Sequence, residues 1–91
     1  MTGYVYILRC GDGRYYYGST NDLMRRLDQH RAGQVRSTKP RLPVALVYFE
    51  QCRRLVQARQ REQALKNGRT RRKTIDLMIR RFPRGQLAPF A

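Results

Sequence analysis

The stretch Tyr4-Val5-Tyr6-Ile7-Leu8-Arg9-Cys10-Gly11-Asp12-Gly13-Arg14-Tyr15-Tyr16-Tyr17-Gly18 decides the fold. Two runs rich in aromatic and β-branched residues, Tyr4–Arg9 and Arg14–Gly18, flank a glycine-rich turn and read as a β-hairpin. A two-residue Asp12-Gly13 turn would place Tyr6 and Tyr16 on opposite faces of the sheet. A three-residue loop, Gly11-Asp12-Gly13 with Gly13 left-handed, pairs Cys10 with Arg14, Leu8 with Tyr16 and Tyr6 with Gly18. The second register is the one favoured here. It puts both tyrosines on one face and leaves open space over Gly18, opposite Tyr6.

Working outward, Ser19-Thr20-Asn21-Asp22 offers several caps for a helix from about Asn21 to Ala32, with Asp22 favourable at its positive end. Leu23 and Leu27 are its inward positions, Arg26 and His30 share one face, and Gly33 stops it. The connection Gln34-Val35-Arg36-Ser37-Thr38-Lys39-Pro40-Arg41 is polar and basic, and Pro40 and Pro43 keep it extended. Its hydroxyls and cations suit phosphate contact, and they equally suit an ordinary solvated loop. Residues 43–50 are continuously apolar and read as a third strand buried on both faces.

A second helix spans roughly Arg54 to Asn67. At 100° per residue, Leu55, Ala58, Glu62 and Leu65 fall in one stripe, so a carboxylate sits on the inward face of an otherwise basic helix. The other acids have simple explanations. Asp12 makes a turn, Asp22 begins a helix, Asp28 meets Arg25 or Arg31, Glu50 ends a strand, and Asp76 lies one turn from Arg72 and Arg80. Glu62 is what remains, either as a functional carboxylate or as the partner of a nearby arginine. Asn67-Gly68 closes this helix. Thr70 then caps a third, with Ile75, Met78, Ile79 and Phe82 facing the core and Pro83 ending it. The segment 84–91 reads as a short, loosely held tail after a domain of residues 1–83.

The chain of 91 residues carries 20 Lys+Arg against 6 Asp+Glu, a formal charge of +14. Such a field favours a polyanion and disfavours an enzyme of small acidic metabolites. The longest apolar run, Val44–Phe49, is far too short to span a bilayer, and no long basic amphipathic helix suited to a membrane surface is visible. No signal peptide is read ahead of the first strand, so the expected location is cytoplasmic. Cys10 and Cys52 have no CxxC spacing or His partners, which argues against zinc and for free thiols.

The motif pair Tyr4-Val5-Tyr6 and Tyr16-Tyr17-Gly18, followed by Asn21-Asp22-Leu23-Met24-Arg25-Arg26-Leu27-Asp28-Gln29-His30 and a later Glu62, resembles the GIY-YIG nuclease superfamily. The resemblance is strongest to its small stand-alone, excinuclease-C-like proteins and covers nearly the whole chain. Tyr-x-Gly alone is weak; the ordered set is specific. The first motif begins with Tyr4 where the family name has Gly, and Tyr6, which closes it, is the functional tyrosine.

The resemblance implies an α+β domain, a three-stranded antiparallel sheet flanked by about three helices. It further implies a divalent-metal-dependent DNA endonuclease of repair or recombination. By position, Tyr6 is the base or water-orienting phenol, with His30 helping to remove its proton. Tyr16 and Arg26 bind phosphate, and Glu62 is the metal ligand. One well-placed acid points to a single Mg²⁺ or Mn²⁺ with water completing its shell. Gly18, Arg25, Arg36, Thr38, Lys39 and Lys66 are the expected nucleic-acid contacts. Asn67 is the weak counterpart of a late asparagine used by many relatives. Tyr4, Tyr15, Tyr17 and Tyr48 read as core or surface aromatics. Two rival readings use the same basic surface: a non-catalytic nucleic-acid-binding module, and a nuclease subunit to which a protein partner supplies specificity on duplex or branched DNA.

Overall fold

The strand that carries Tyr6 lies at the centre of the sheet. In the computed structural model, which describes residues 2–68 and 70–91, β1 (Gly3–Cys10) pairs antiparallel with β2 (Tyr15–Thr20) on one side and β3 (Val44–Cys52) on the other. The hairpin takes the three-residue-loop register. Tyr6 stands opposite Gly18 and Leu8 opposite Tyr16, and the Cys10 N–H donates to the Arg14 carbonyl at 2.9 Å. Gly13 has φ 81°, the left-handed conformation that glycine adopts without steric cost. Because strand side chains alternate, this register puts Tyr6 and Tyr16 on one face.

That face is covered by α1 (Leu23–Arg31). The Asp22 side chain accepts from the Arg25 backbone N–H and so caps the helix. Leu23 and Leu27 pack on Tyr6, Leu8 and Leu46. Full burial of a leucine contributes about 1.5–3 kcal/mol, so this face alone anchors α1. Gly33 (φ 74°) ends the helix, and the Gln34 N–H returns to the Gln29 carbonyl at 3.0 Å. The opposite face, built on Val5 and Ile7, is covered by Leu65 of α2 (Leu55–Lys66) and Ile75 of α3 (Arg72–Arg81). The start of α2 lies so close to Gly3 that a Cβ there would come within 2.7 Å of the Leu55 Cα.

Four expectations need correction. The third strand is not buried on both faces: it is an edge of the sheet, and among residues of β3 only Leu46 is buried. Its apolar run is instead half-covered, with Tyr48 and Phe49 packed on the Phe82 ring at 5.2 and 5.1 Å. The connection after α1 is not extended. It coils into a 3-10 turn at Lys39–Arg41, where Pro40 fits because a first turn needs no N–H from it. The Gly11 N–H donates to the Arg41 carbonyl at 2.7 Å and ties that turn to the hairpin loop. The residue capping α3 is Arg71 rather than Thr70. Finally, the segment after Pro83 is not loose. Arg84–Phe90 forms a 3-10 helix whose Leu87 and Phe90, three residues apart and therefore eclipsed, pack on the Tyr6–Leu8 cluster. The Phe90 ring meets Phe49 at 5.4 Å, and Arg31 donates to the Phe90 carbonyl. Cys10 and Cys52 are both free thiols.

Candidate active site

The register of the hairpin sets the first part of the site. With no side chain on Gly18, the Tyr6 ring lies over it: a Cβ built there would fall 2.4 Å from the phenol oxygen. So held, Tyr6 is almost fully buried and its hydroxyl sits 2.8 Å from Nε2 of His30, on the last turn of α1. The other imidazole nitrogen, Nδ1, lies 2.8 Å from Oγ1 of Thr38. Both His30 and Thr38 are completely buried. Tyr16 closes the cluster, its ring 5.0 Å from His30 and 6.3 Å from Tyr6. One turn before His30, Arg26 faces both phenols and donates from Nη1 to Gln29 Oε1 at 3.1 Å.

Burial decides the protonation of this cluster. Desolvation, with Tyr16 and Glu62 adding to it, pushes the Tyr6 phenol above the ordinary tyrosine range against the pull of Arg26. Burial first, and the Arg26 charge second, hold His30 down to about 4. At neutral pH the pair is therefore a phenol beside a neutral imidazole.

The carboxylate comes from the other side of the sheet. Glu62 on α2 accepts from Ser19 Oγ at 2.6 Å through Oε1, and from Lys66 Nζ at 2.6 Å through Oε2. Its side chain is 13% exposed against 43% for that of Lys66, so the cation covers it from the solvent side. The Glu62 charge acts on Tyr6 and Tyr16 acts on Lys66, so the pair lies within electrostatic reach of the tyrosines from the neighbouring face. Among the described residues no three His, Cys, Asp or Glu side chains are grouped as a metal cage. One carboxylate with a hydroxyl beside it, already organised around a positive charge, fits a single hard and mostly hydrated cation in the place of the lysine.

Of the five residues singled out from the sequence, Tyr6, Tyr16, Arg26 and His30 thus form one cluster, and Glu62 stands apart from it with Ser19 and Lys66. The expected nucleic-acid contacts divide. Arg25, Arg36 and Lys39 are exposed, as such contacts must be. Lys66 is exposed too, but its ammonium is engaged by Glu62. Two do not fit. Thr38 is wholly buried under His30 and cannot reach a phosphate. Gly18 is buried beneath Tyr6, so the close approach it allows is to a tyrosine and not to a ligand. Asn67 is the C-cap of α2, its amide 3.5 Å from Gln63 Oε1. Sequence reasoning passed over Ser19, Gln29 and Arg59. Ser19 and Gln29 line, with Arg25, Arg26 and Arg59, a cavity of about 430 Å³ beside the cleft. Arg59 had a signal, since it lies three residues before Glu62 on the same helical face. A larger cavity, about 650 Å³ and lined by Arg9, Tyr15, Arg80 and Phe82 among others, includes none of the five. No helix among the described residues is long and apolar enough to cross a membrane.

Comparison with known proteins agrees with this fold. A UPF0213 protein of Desulfotalea psychrophila, DP2720, is 41% identical over 75 residues, covering 79% of this chain and 68% of its own. One from Streptococcus sanguinis is 49% identical over 49 residues, about half of each chain (53% and 56%). The solution structure of the UPF0213 protein BH0048 from Bacillus halodurans superposes with a TM-score of 0.57 at 32% identity, covering 97% of this chain and 94% of that one. Residues 2–76 match the GIY-YIG catalytic domain, a span from the start of β1 into α3 that takes in every residue of the cleft, and the chain belongs to that family.

Proposed function

We propose that the protein is a divalent-metal-dependent DNA endonuclease that hydrolyses phosphodiester bonds. The observation that carries this reading is the 2.8 Å bond between Tyr6 and a neutral His30, beside the Arg26 guanidinium. Hydrolysis needs a water stripped of its proton, a counter-charge at the phosphoryl oxygens and relief at the leaving oxygen. Tyr6 cannot act as a free phenolate, because burial holds its proton in place. It can act as a relay: its oxygen takes a proton from the attacking water as its own proton passes to His30 Nε2. Arg26 presents several N–H groups to the phosphate, and the Tyr16 hydroxyl orients it. Mg²⁺ or Mn²⁺ held by Glu62, with Ser19 adjacent, would neutralise charge building at the leaving oxygen.

The net charge of +14 supports a DNA substrate, duplex or branched, bound largely through its backbone. A role in repair or recombination, in the compartment that holds the DNA, follows the same reading, with a protein partner supplying substrate choice to so small a domain. One observation favours the rival, a non-catalytic nucleic-acid-binding module: Lys66 already neutralises Glu62. Incubation with linear, nicked and branched DNA in Mg²⁺ or Mn²⁺ decides between them. The nuclease reading expects metal-dependent nicks or breaks. Binding without cleavage of any of these substrates would favour the module.

A further inference from the structure

We infer that Thr38 is a positioning residue that sets the direction of the Tyr6–His30 hydrogen bond, and with it the ability of His30 to accept a proton. The inference rests on the nuclease reading for its catalytic consequence, but the direction of the bond stands on geometry alone. A neutral imidazole carries one N–H, and its partners decide which nitrogen holds it. Both ends of the chain Tyr6–His30–Thr38 point the same way. At the outer end, Tyr6 faces Arg26, which has only N–H groups to give. No acceptor competes from that side, so the phenol O–H is left for His30 Nε2 at 2.8 Å. At the inner end, the Thr38 hydroxyl faces the Val35 carbonyl at 3.4 Å, which can only accept. Its hydrogen goes there, and its oxygen is left to accept from His30 Nδ1 at 2.8 Å.

The proton of His30 therefore sits on Nδ1, and Nε2 is the bare nitrogen. The opposite arrangement would have Nε2–H donating to Tyr6, and the relay would then have nowhere to send the phenol proton. Neither bond is open to bulk solvent, since Tyr6, His30 and Thr38 are each at most 1% exposed. The backbone holds Thr38 in place. Its N–H donates to the Val35 carbonyl at 3.1 Å, and its carbonyl accepts from the Arg41 N–H at 2.8 Å. A basic, hydroxyl-bearing connection thus delivers one buried oxygen to the back of the imidazole.

The chain contains a single histidine, so every imidazole signal from ¹⁵N-labelled protein belongs to His30. The test compares wild type with Thr38→Val, which keeps the shape and removes the acceptor, and Thr38→Ser, which keeps the hydroxyl. Wild type and Thr38→Ser are expected to show Nδ1 protonated and Nε2 bare, and Thr38→Val to move the proton toward Nε2. In DNA cleavage, Thr38→Val is expected to lower kcat about 10- to 100-fold at little-changed KM, by analogy with the loss of the outer partners that fix the tautomer of metal-ligating histidines. Thr38→Ser is expected to stay within a few-fold of wild type. A wild-type spectrum with the proton on Nε2 overturns the inference even if Thr38→Val does not fold. So does a folded Thr38→Val whose tautomer or kcat is unchanged. Wild-type protein that cuts no DNA, yet whose tautomer responds to Thr38→Val, overturns the nuclease reading and the catalytic consequence, and leaves the assigned bond direction supported.

Discussion

The two halves of the candidate site are built on opposite terms. The Tyr6–His30–Thr38 chain is wholly buried, uncharged at neutral pH, and bonded end to end. The Ser19–Glu62–Lys66 group is charged and lies at the rim, where the lysine remains 43% exposed. Desolvation explains the division. A neutral hydrogen-bonded chain loses little by leaving water, whereas a carboxylate buried without a partner costs several kcal/mol. The inner half can therefore be rigid and preorganised, while the outer half keeps its charges at the solvent boundary. The proposed chemistry, with its fixed proton path and replaceable cation, would draw on one half for each.

The largest expected effect breaks the outer half alone. Glu62→Gln keeps the side-chain shape but removes the charge proposed to hold a divalent ion. Cleavage is expected to fall by roughly 10²–10³-fold or more, a loss of the order seen when a charge-stabilising group is removed from an active site. DNA binding in metal-free buffer should hold or improve slightly, because one negative charge near the phosphate is gone. A variant altered only in melting temperature, with cleavage intact, would reduce Glu62 to the ion-pair partner of Lys66.

Gly18→Ala strikes the inner half. The added Cβ would lie 2.4 Å from the Tyr6 oxygen, so the ring has to leave its place against His30. A loss of about 1–3 kcal/mol in stability is expected, together with a fall in activity, by chemical denaturation and cleavage rate. Unchanged stability would mean that the Tyr6 ring does not rest on that strand.

Acid should expose the inner half as well. Folded His30 titrates at about 4 against an ordinary value of 6.5, so below pH 6.5 the unfolded chain takes a proton that the folded chain refuses. The unfolded state binds more protons in that window, and stability therefore rises with pH from about 4 to 6.5 and is flat in this group above it. The slope from one such group is at most ~1.4 kcal/mol per pH unit. Comparing the pH dependence of unfolding with that of His30→Phe, which has no proton to take up, isolates it. Identical slopes in the two proteins would contradict a buried neutral imidazole.

The smallest effect belongs to the rim cations. DNA binding that neutralises about 5 phosphates has a log–log salt slope of roughly −4 to −5. Replacing Arg25 or Arg59 by Gln should reduce that slope by about 1 each and weaken affinity alike for every sequence, by fluorescence anisotropy across a salt series. A loss confined to particular sequences would make either arginine a base reader.

Most of the inner half was legible in the amino-acid sequence, because local rules determine it. A left-handed glycine at position 13 selects the loop, the loop selects the register, and the register puts Tyr6 over Gly18. Helical spacing then adds Arg26 and His30 on one face, and the stripe of α2 adds Glu62. Thr38 was not legible, because its place depends on contacts far along the chain. A Thr flanked by Ser37 and Lys39 reads as solvated, and only the 3-10 turn tied to Gly11 turns its hydroxyl under the imidazole. Ser19 was hidden for a similar reason: its partner lies 43 residues away. The third strand and the C-terminal segment were misread together. The apolar run of β3 is covered from outside by Phe82 and Phe90, which composition cannot reveal.

The most direct measurement of whether this cleft cuts DNA through the buried phenol is the cleavage rate of Tyr6→Phe against wild type, in Mg²⁺ or Mn²⁺, with DNA affinity measured on the same proteins. The substitution removes one oxygen and leaves the ring over Gly18. Wild type is expected to cut, and Tyr6→Phe to cut about 10²-fold or more slowly with affinity nearly unchanged, since general acid–base relays contribute on the order of 10²–10⁴. Tyr6→Phe cutting as fast as wild type would contradict the account, as would a wild-type protein that binds DNA and leaves every substrate whole.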